Sequence, residues 1–180
     1  MNKLKRTKQV LNQFGQYVIS QAKRNLSIKK KNSSKDLYKS LGYNVQEFSN
    51  SILLEFLMND YGAYQDKGVK GKKSTYPESK KSPFQYKRKM PPIQTIADWA
   101  QSRNIRLRDE KGRFERGNYK TIGFLFARSI MEKGIRASMF FTKPFEKAFE
   151  NLPKDIMNSF EKDIFLLLDD KSKSFSFFKK

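Results

Sequence analysis

Between Phe145 and Leu168 the apolar residues Phe145, Phe149, Leu152, Ile156, Phe160, Ile164, Leu167 and Leu168 recur every three or four positions. That period lines one face of an α-helix and cannot be laid along a half-buried strand. Pro153 interrupts it, and a proline inside a helix removes a backbone donor, so the stretch that opens near Pro144 kinks or splits there. A stripe of this kind must be buried against another apolar surface. The N-terminal segment offers one: Leu4, Leu11, Phe14, Val18, Ala22 and Leu26 step by seven, three and four, with lysines on the opposite face. Two helical ends therefore bracket whatever lies between them.

The middle of the chain is mixed. SSKDLYKSLG predicts a short helix over about 34–41, with a serine cap and a glycine stop. YNVQEF and ILLEFLM flank Ser49-Asn50-Ser51 as the two arms of a hairpin. In the second arm Ile52, Leu54, Phe56 and Met58 share one face, and Leu53 and Leu57 the other, so this strand is expected to be central or packed on both sides. Pro91-Pro92 start a helix over 91–104 carrying Ile93, Ile96, Trp99 and Ala100, since proline suits a first turn. Lys111-Gly112 is placed to turn a small hairpin within the charged stretch 106–117. Thr121 to Lys133 is apolar almost all round and reads as the most buried helix, with Gly134 as its stop. This order predicts an α+β fold, a small mainly antiparallel sheet packed by N-terminal, central and long C-terminal helices. Residues 1–170 read as a single domain with an exposed basic loop at 70–90, and 171–180 as a flexible tail.

Charge narrows the chemistry. The 180 residues carry a net charge of +20, and residues 1–35 hold no acidic side chain. A globule so charged repels itself, which points to a polyanionic neighbour, nucleic acid first and an acidic protein or anionic membrane next. There is no cysteine and no histidine. Disulfides, zinc sites of the usual ligand types and histidine-based triads are excluded, and no cofactor is implied. No apolar run approaches the about 18 residues of a membrane span, and Asn12, Gln13 and Gln16 break any signal-peptide core, so the chain is expected to stay in a cytoplasm.

Residues 66–90 hold nine Lys or Arg against two acids and no apolar period, and read as a strand end followed by an exposed loop or loose hairpin. The Gly68, Gly71, Lys72, Lys73, Ser74 run has the residue types of a phosphate loop but not its spacing, and no helix follows it. Asp66 with Glu78 and Lys80 formally matches a two-carboxylate metal site of a nuclease, without rigid strands to hold it. Lys67, Lys70, Lys72, Lys73, Lys80, Lys81, Lys87, Arg88 and Lys89 interleave with Tyr76, Phe84 and Tyr86, a composition suited to phosphate contact with some stacking. The alternative is a merely solvated loop. No base-reading module is present, so a nucleic-acid contact would be sequence-nonspecific. Phe175, Phe177 and Phe178 are either a docking segment, acting by strand addition, or a free chain end.

Three blocks carry a resemblance. YGAYQDKG is similar to a Tyr-Ala/Gly-x-Tyr-x-acidic-x-Gly strand, PPIQTIADWAQSRNI to a proline-started helix with a central Trp, and TIGFLFARSIMEKGIRASMFF to an apolar helix ending in Gly-Ile. In this order they resemble the tail-completion, or head–tail connector, proteins of tailed bacteriophages, the tail components first described in lambdoid phages. The residues that match are Tyr61, Tyr64, Asp66, Gly68, Trp99, Gly134, Ile135 and Phe141, over about residues 2–170. The resemblance implies a non-enzymatic virion protein assembled in the bacterial cytoplasm. It would form a six- or twelve-fold ring at the head–tail joint, against the portal or adjacent neck and tail proteins, with packaged DNA in its lumen and no membrane contact.

Overall fold

Along the chain run α1 (Lys5–Ile28), α2 (Asp36–Ser40), β1 (Gly42–Glu47), β2 (Ile52–Leu57), α3 (Tyr61–Lys67), β3 (Val69–Lys70), α4 (Ile93–Ser102), α5 (Tyr119–Lys133), β4 (Gly134–Ile135), α6 (Thr142–Phe149) and α7 (Leu152–Phe177). They come from a computed structural model that describes residues 4–28, 35–49, 51–115 and 117–177. The fold is mixed α+β, with small antiparallel pairings beside N-terminal, central and long C-terminal helices. Contacts divide the chain into two compact units, Met1–Asp60 with Phe140–Lys180, and Tyr61–Met139.

The first unit is built on α1. Its stripe is buried as the spacing predicts: Leu11, Phe14, Val18, Ala22 and Leu26 all point inward. Ile19, Ala22 and Leu26 meet Leu37, Leu41 and Phe140 in one cluster, and Leu11, Phe14 and Val18 meet Leu152 in another. The β1–β2 hairpin pairs Gly42 with Leu57 through Glu47 with Ile52, and the Phe48 N–H donates to the Ser51 carbonyl across the turn at 2.8 Å; Asn50 of that turn lies outside the described residues, as does Ser34 at the start of the short helix. Phe14, Phe56, Phe141 and Phe145 form a ring cluster with edge-on and stacked pairs 5.2–6.1 Å apart.

Three expectations for this unit need correction. The second hairpin strand is neither central nor packed on both sides: among the described residues the sheet has two strands, and Leu53 and Leu57 are exposed. The C-terminal stretch splits around Pro153 into α6 and α7, as the proline requires, but the inward face of α7 is not the full apolar stripe. Leu152, Ser159 and Asp163 are buried with Ile156 half-buried, while Phe160, Ile164 and Leu168 are exposed. The reason is a polar contact. Asp163 accepts from the Arg6 N–H (3.2 Å), the Thr7 N–H (2.9 Å) and the Thr7 hydroxyl (2.9 Å), so α7 rotates its carboxylate onto the open amides of the α1 N-terminus. α7 also continues to Phe177, so residues 171–177 are helical where the sequence reads as a tail. Phe175 and Phe177 belong to its backbone, and Phe178 lies outside the described residues.

The second unit is organised by α4 and α5. Asn118 caps α5, its side-chain oxygen accepting from the Lys120 and Thr121 N–H groups. α4 and α5 meet through small residues, Ala97 and Ala100 on one and Gly123 and Ala127 on the other, all buried. A Cβ at Gly123 would come within 2.6 Å of the Ile93 carbonyl oxygen. Because small residues make the contact, the large ones turn outward: Phe124, Leu125 and Phe126 are exposed, so α5 is not the deeply buried helix its composition suggests.

Candidate functional site

The segment YGAYQDK is the helix α3, not a strand. Gly62 and Asp66, one turn apart, face inward, while Tyr61 and Tyr64 are 46% and 45% exposed and do not pack as a strand face would have them do. Gly68 ends the helix at φ 71, where a Cβ would also collide with Ser79 Oγ and the Ile135 carbonyl. β3 then pairs with β4, Val69 opposite Ile135 and Lys70 opposite Gly134. Gly134, at φ 84, ends α5 and begins that pairing, with its N–H donating back to the Ile130 carbonyl.

The basic stretch beyond Gly68 is held down rather than loose. The Lys70 N–H donates to the Phe84 carbonyl and the Tyr86 N–H to the Lys70 carbonyl, both at 2.9 Å, which folds 84–86 back alongside β3. The Lys72, Lys73 and Ser74 N–H groups donate to the carbonyls of Met131 and Glu132 at the end of α5. Two buried serines complete the attachment. Ser79 Oγ donates to the Ile135 carbonyl (2.8 Å) and accepts from the Ala137 N–H (2.9 Å), and Ser82 Oγ donates to the Gly68 carbonyl (2.7 Å).

The doubled-back segment forms one wall of an open groove of about 950 Å³. Tyr64, Phe84 and Tyr86 are among its lining, with Lys70, Lys87, Arg88 and Lys89 and the prolines Pro83, Pro91 and Pro92; among the described residues no acidic side chain lines it. The Tyr64 and Phe84 rings lie 4.4 Å apart at a 57° tilt. Burial, and secondarily electrostatic repulsion from Tyr64, hold the Tyr86 phenol above its ordinary 10.0. Residues 61–139 contain nineteen Lys and Arg against seven Asp and Glu, so +12 of the +20 sits in this unit.

Of the nine basic residues singled out from sequence, the groove gathers Lys70, Lys87, Arg88 and Lys89. Lys67, Lys72, Lys73, Lys80 and Lys81 are not part of its lining. Lys73 is neutralised by Glu132 at 3.0 Å, and Arg128 joins that carboxylate at 3.5 Å. The hydrogen bond from Lys73, aided by the charges of Lys73 and Arg128, holds Glu132 below its ordinary value against a smaller desolvation effect. Tyr76 lies under Arg136, 5.2 Å from its ring centre. Tyr64 enters the groove because α3 is a helix; in a strand reading it has no such place. Ser79 and Ser82, which fasten the wall, carry no signal that separates them from the other serines of a Ser-Lys-rich run.

The residues of the pattern Asp66, Glu78 and Lys80 have other surroundings. Asp66 is buried at the end of α3, Glu78 pairs with Arg136 at 3.5 Å, and no three metal-ligating side chains converge among the described residues. Gly71 does not form a phosphate loop either, since the Gly71 backbone lies against the Glu132 and Ser74 carbonyls. The matched residue Trp99 meets Phe126 edge-on at 5.9 Å on the α4–α5 face, while the matched Phe141 belongs to the aromatic cluster of the first unit. A second cleft, of about 730 Å³, lies beside α1, α6 and α7 with mixed amides and charges of both signs, among them Gln13, Asn151, Asp155 and Lys162. No helix among the described residues is long and apolar enough to cross a membrane. No family model, curated protein or solved structure matches the chain.

Proposed function

We propose that this chain is a non-enzymatic structural subunit of a tailed-bacteriophage particle, part of the ring at the head–tail connector, with its basic groove facing packaged DNA. The observation that carries this reading is the outward display of large apolar side chains on helices. Met157, Phe160, Phe165, Leu166 and Leu168 on α7 are exposed, and so are Phe124, Leu125 and Phe126 on α5. Faces of this kind on so polar a chain, of mean hydropathy −0.78, are surfaces made for neighbours. The resemblance to connector proteins supplies the place, and the groove supplies the polyanion contact that makes a charge of +20 tolerable.

Native mass spectrometry and negative-stain microscopy of the purified chain test it. Closed rings of six or twelve copies, lost on Phe160→Glu with Phe165→Glu, are the expected result. The groove also favours a second reading, a solitary sequence-nonspecific nucleic-acid-binding protein. A chain that stays monomeric at high concentration and still binds duplex DNA, with affinity falling steeply as salt rises, would sink the ring and leave that second reading.

A further inference from the structure

The groove has a feature that a duplex-facing surface does not need. Duplex DNA is held through its phosphates by cations alone, and its paired bases are stacked on each other and leave no free faces for aromatic side chains. Here the cations Lys70, Lys87, Arg88 and Lys89 share a concave groove with the aromatic rings of Tyr64 and Phe84. Tyr64 is nearly half exposed, although it touches Phe84 at 4.4 Å. The exposed part of its ring is presented as a surface. The groove wall is also fixed in advance by the Lys70–Phe84 and Lys70–Tyr86 backbone bonds and by Ser82, so a ligand meets a set geometry and not a loop that must first be ordered.

We infer that the groove binds an unpaired nucleic-acid strand, with bases stacking on Tyr64 and Phe84 and the backbone running along Lys70, Lys87, Arg88 and Lys89. Unpaired bases have free π-faces, and stacking is indifferent to sequence, in keeping with a site that has no base-reading element. A strand end is where a linear duplex offers such bases. The inference deepens the reading of the groove as a nucleic-acid face and rests on it, but it is independent of ring formation.

The test is fluorescence anisotropy on the full chain, with a labelled oligothymidylate of about twelve nucleotides and a duplex of equal length. The oligothymidylate is expected to bind about tenfold more tightly than the duplex. Tyr64→Leu and Phe84→Leu keep apolar volume while removing the π-face, and are expected to lower its affinity about tenfold with the salt slope unchanged. Lys87→Gln with Lys89→Gln is expected to flatten the salt slope by nearly two phosphates' worth. A melting curve for each variant checks that it is folded. Equal or tighter duplex binding overturns the inference while keeping the groove as a nucleic-acid face. Binding of neither probe overturns both. Displacement of the oligonucleotide by polyglutamate at equal charge also overturns it, and marks the groove as a site for acidic protein.

Discussion

Asp163 holds together the two ends of the chain, 156 residues apart from Thr7, through three hydrogen bonds to the first turn of α1. A carboxylate there meets both unsatisfied amides and the positive end of the helix dipole, and it is buried from competing water. Asp163→Ala is expected to lower unfolding free energy by about 1–3 kcal/mol in urea titration. Asp163→Asn, which keeps an acceptor but loses the charge, should lie between it and the parent. Equal stability of all three would mean that Thr7 and Arg6 find water instead. Tyr86 makes a residue-scale prediction about pH. Its phenol is held above 10.0 in the folded chain, so the folded state retains the proton longer than the unfolded state does. The contribution is fully present below the ordinary tyrosine value and is lost as pH rises through the raised one. The parent should therefore lose stability above about pH 10 more steeply than Tyr86→Phe, read as melting temperature against pH. Parallel curves would show that Tyr86 is solvated.

At the scale of elements, the sequence was most legible where apolar period and burial coincide. α1 and the β1–β2 hairpin follow their patterns because each has one partner surface, and the Gly134 stop sits at the end of α5. α3 was misread because aromatic, β-prone residues at its start outweighed the helical pairing of Gly62 with Asp66. The inward face of α7 was misplaced by one position for a different reason. Apolar periodicity cannot foresee that Ser159 and Asp163 will be buried to serve the amides of another helix. The groove was half legible: Phe84, Tyr86 and the cations were visible as composition, but the fold-back that brings them beside Tyr64 depends on single backbone bonds at Lys70. The burial of α5 was overestimated because hydrophobicity says nothing about which side chain makes a close helix contact. Gly123 does, against Ile93 and Ala97. Gly123→Val should force α4 and α5 apart and cost about 1–3 kcal/mol, while Leu125→Ser on the outer face should change stability by less than about 1 kcal/mol. The reverse order would place the helix contact on the wrong face of α5.

The whole molecule is dominated by charge that it does not neutralise internally. Thirty-eight Lys and Arg face eighteen Asp and Glu, and the ion pairs at Lys8–Glu47, Lys73–Glu132, Arg128–Glu132 and Arg136–Glu78 involve partly exposed groups that contribute little each. Self-repulsion among the remaining cations opposes the folded state more than the expanded one, since folding brings like charges closer. Salt shortens the range of that repulsion to about 10 Å at 0.1 M. The melting temperature should therefore rise when sodium chloride is increased from low to moderate concentration, the reverse of what a chain stabilised by surface pairs would do. A polyanion adds a second effect, because binding to the folded state alone stabilises it by mass action. Oligonucleotide at constant ionic strength should raise the melting temperature further, and Lys87→Gln with Lys89→Gln should remove that increment while leaving the chloride effect nearly intact. The two responses separate diffuse charge from the groove. A melting temperature that falls with chloride would show that the exposed ion pairs outweigh the repulsion, and it would remove the electrostatic reason for expecting a polyanionic neighbour.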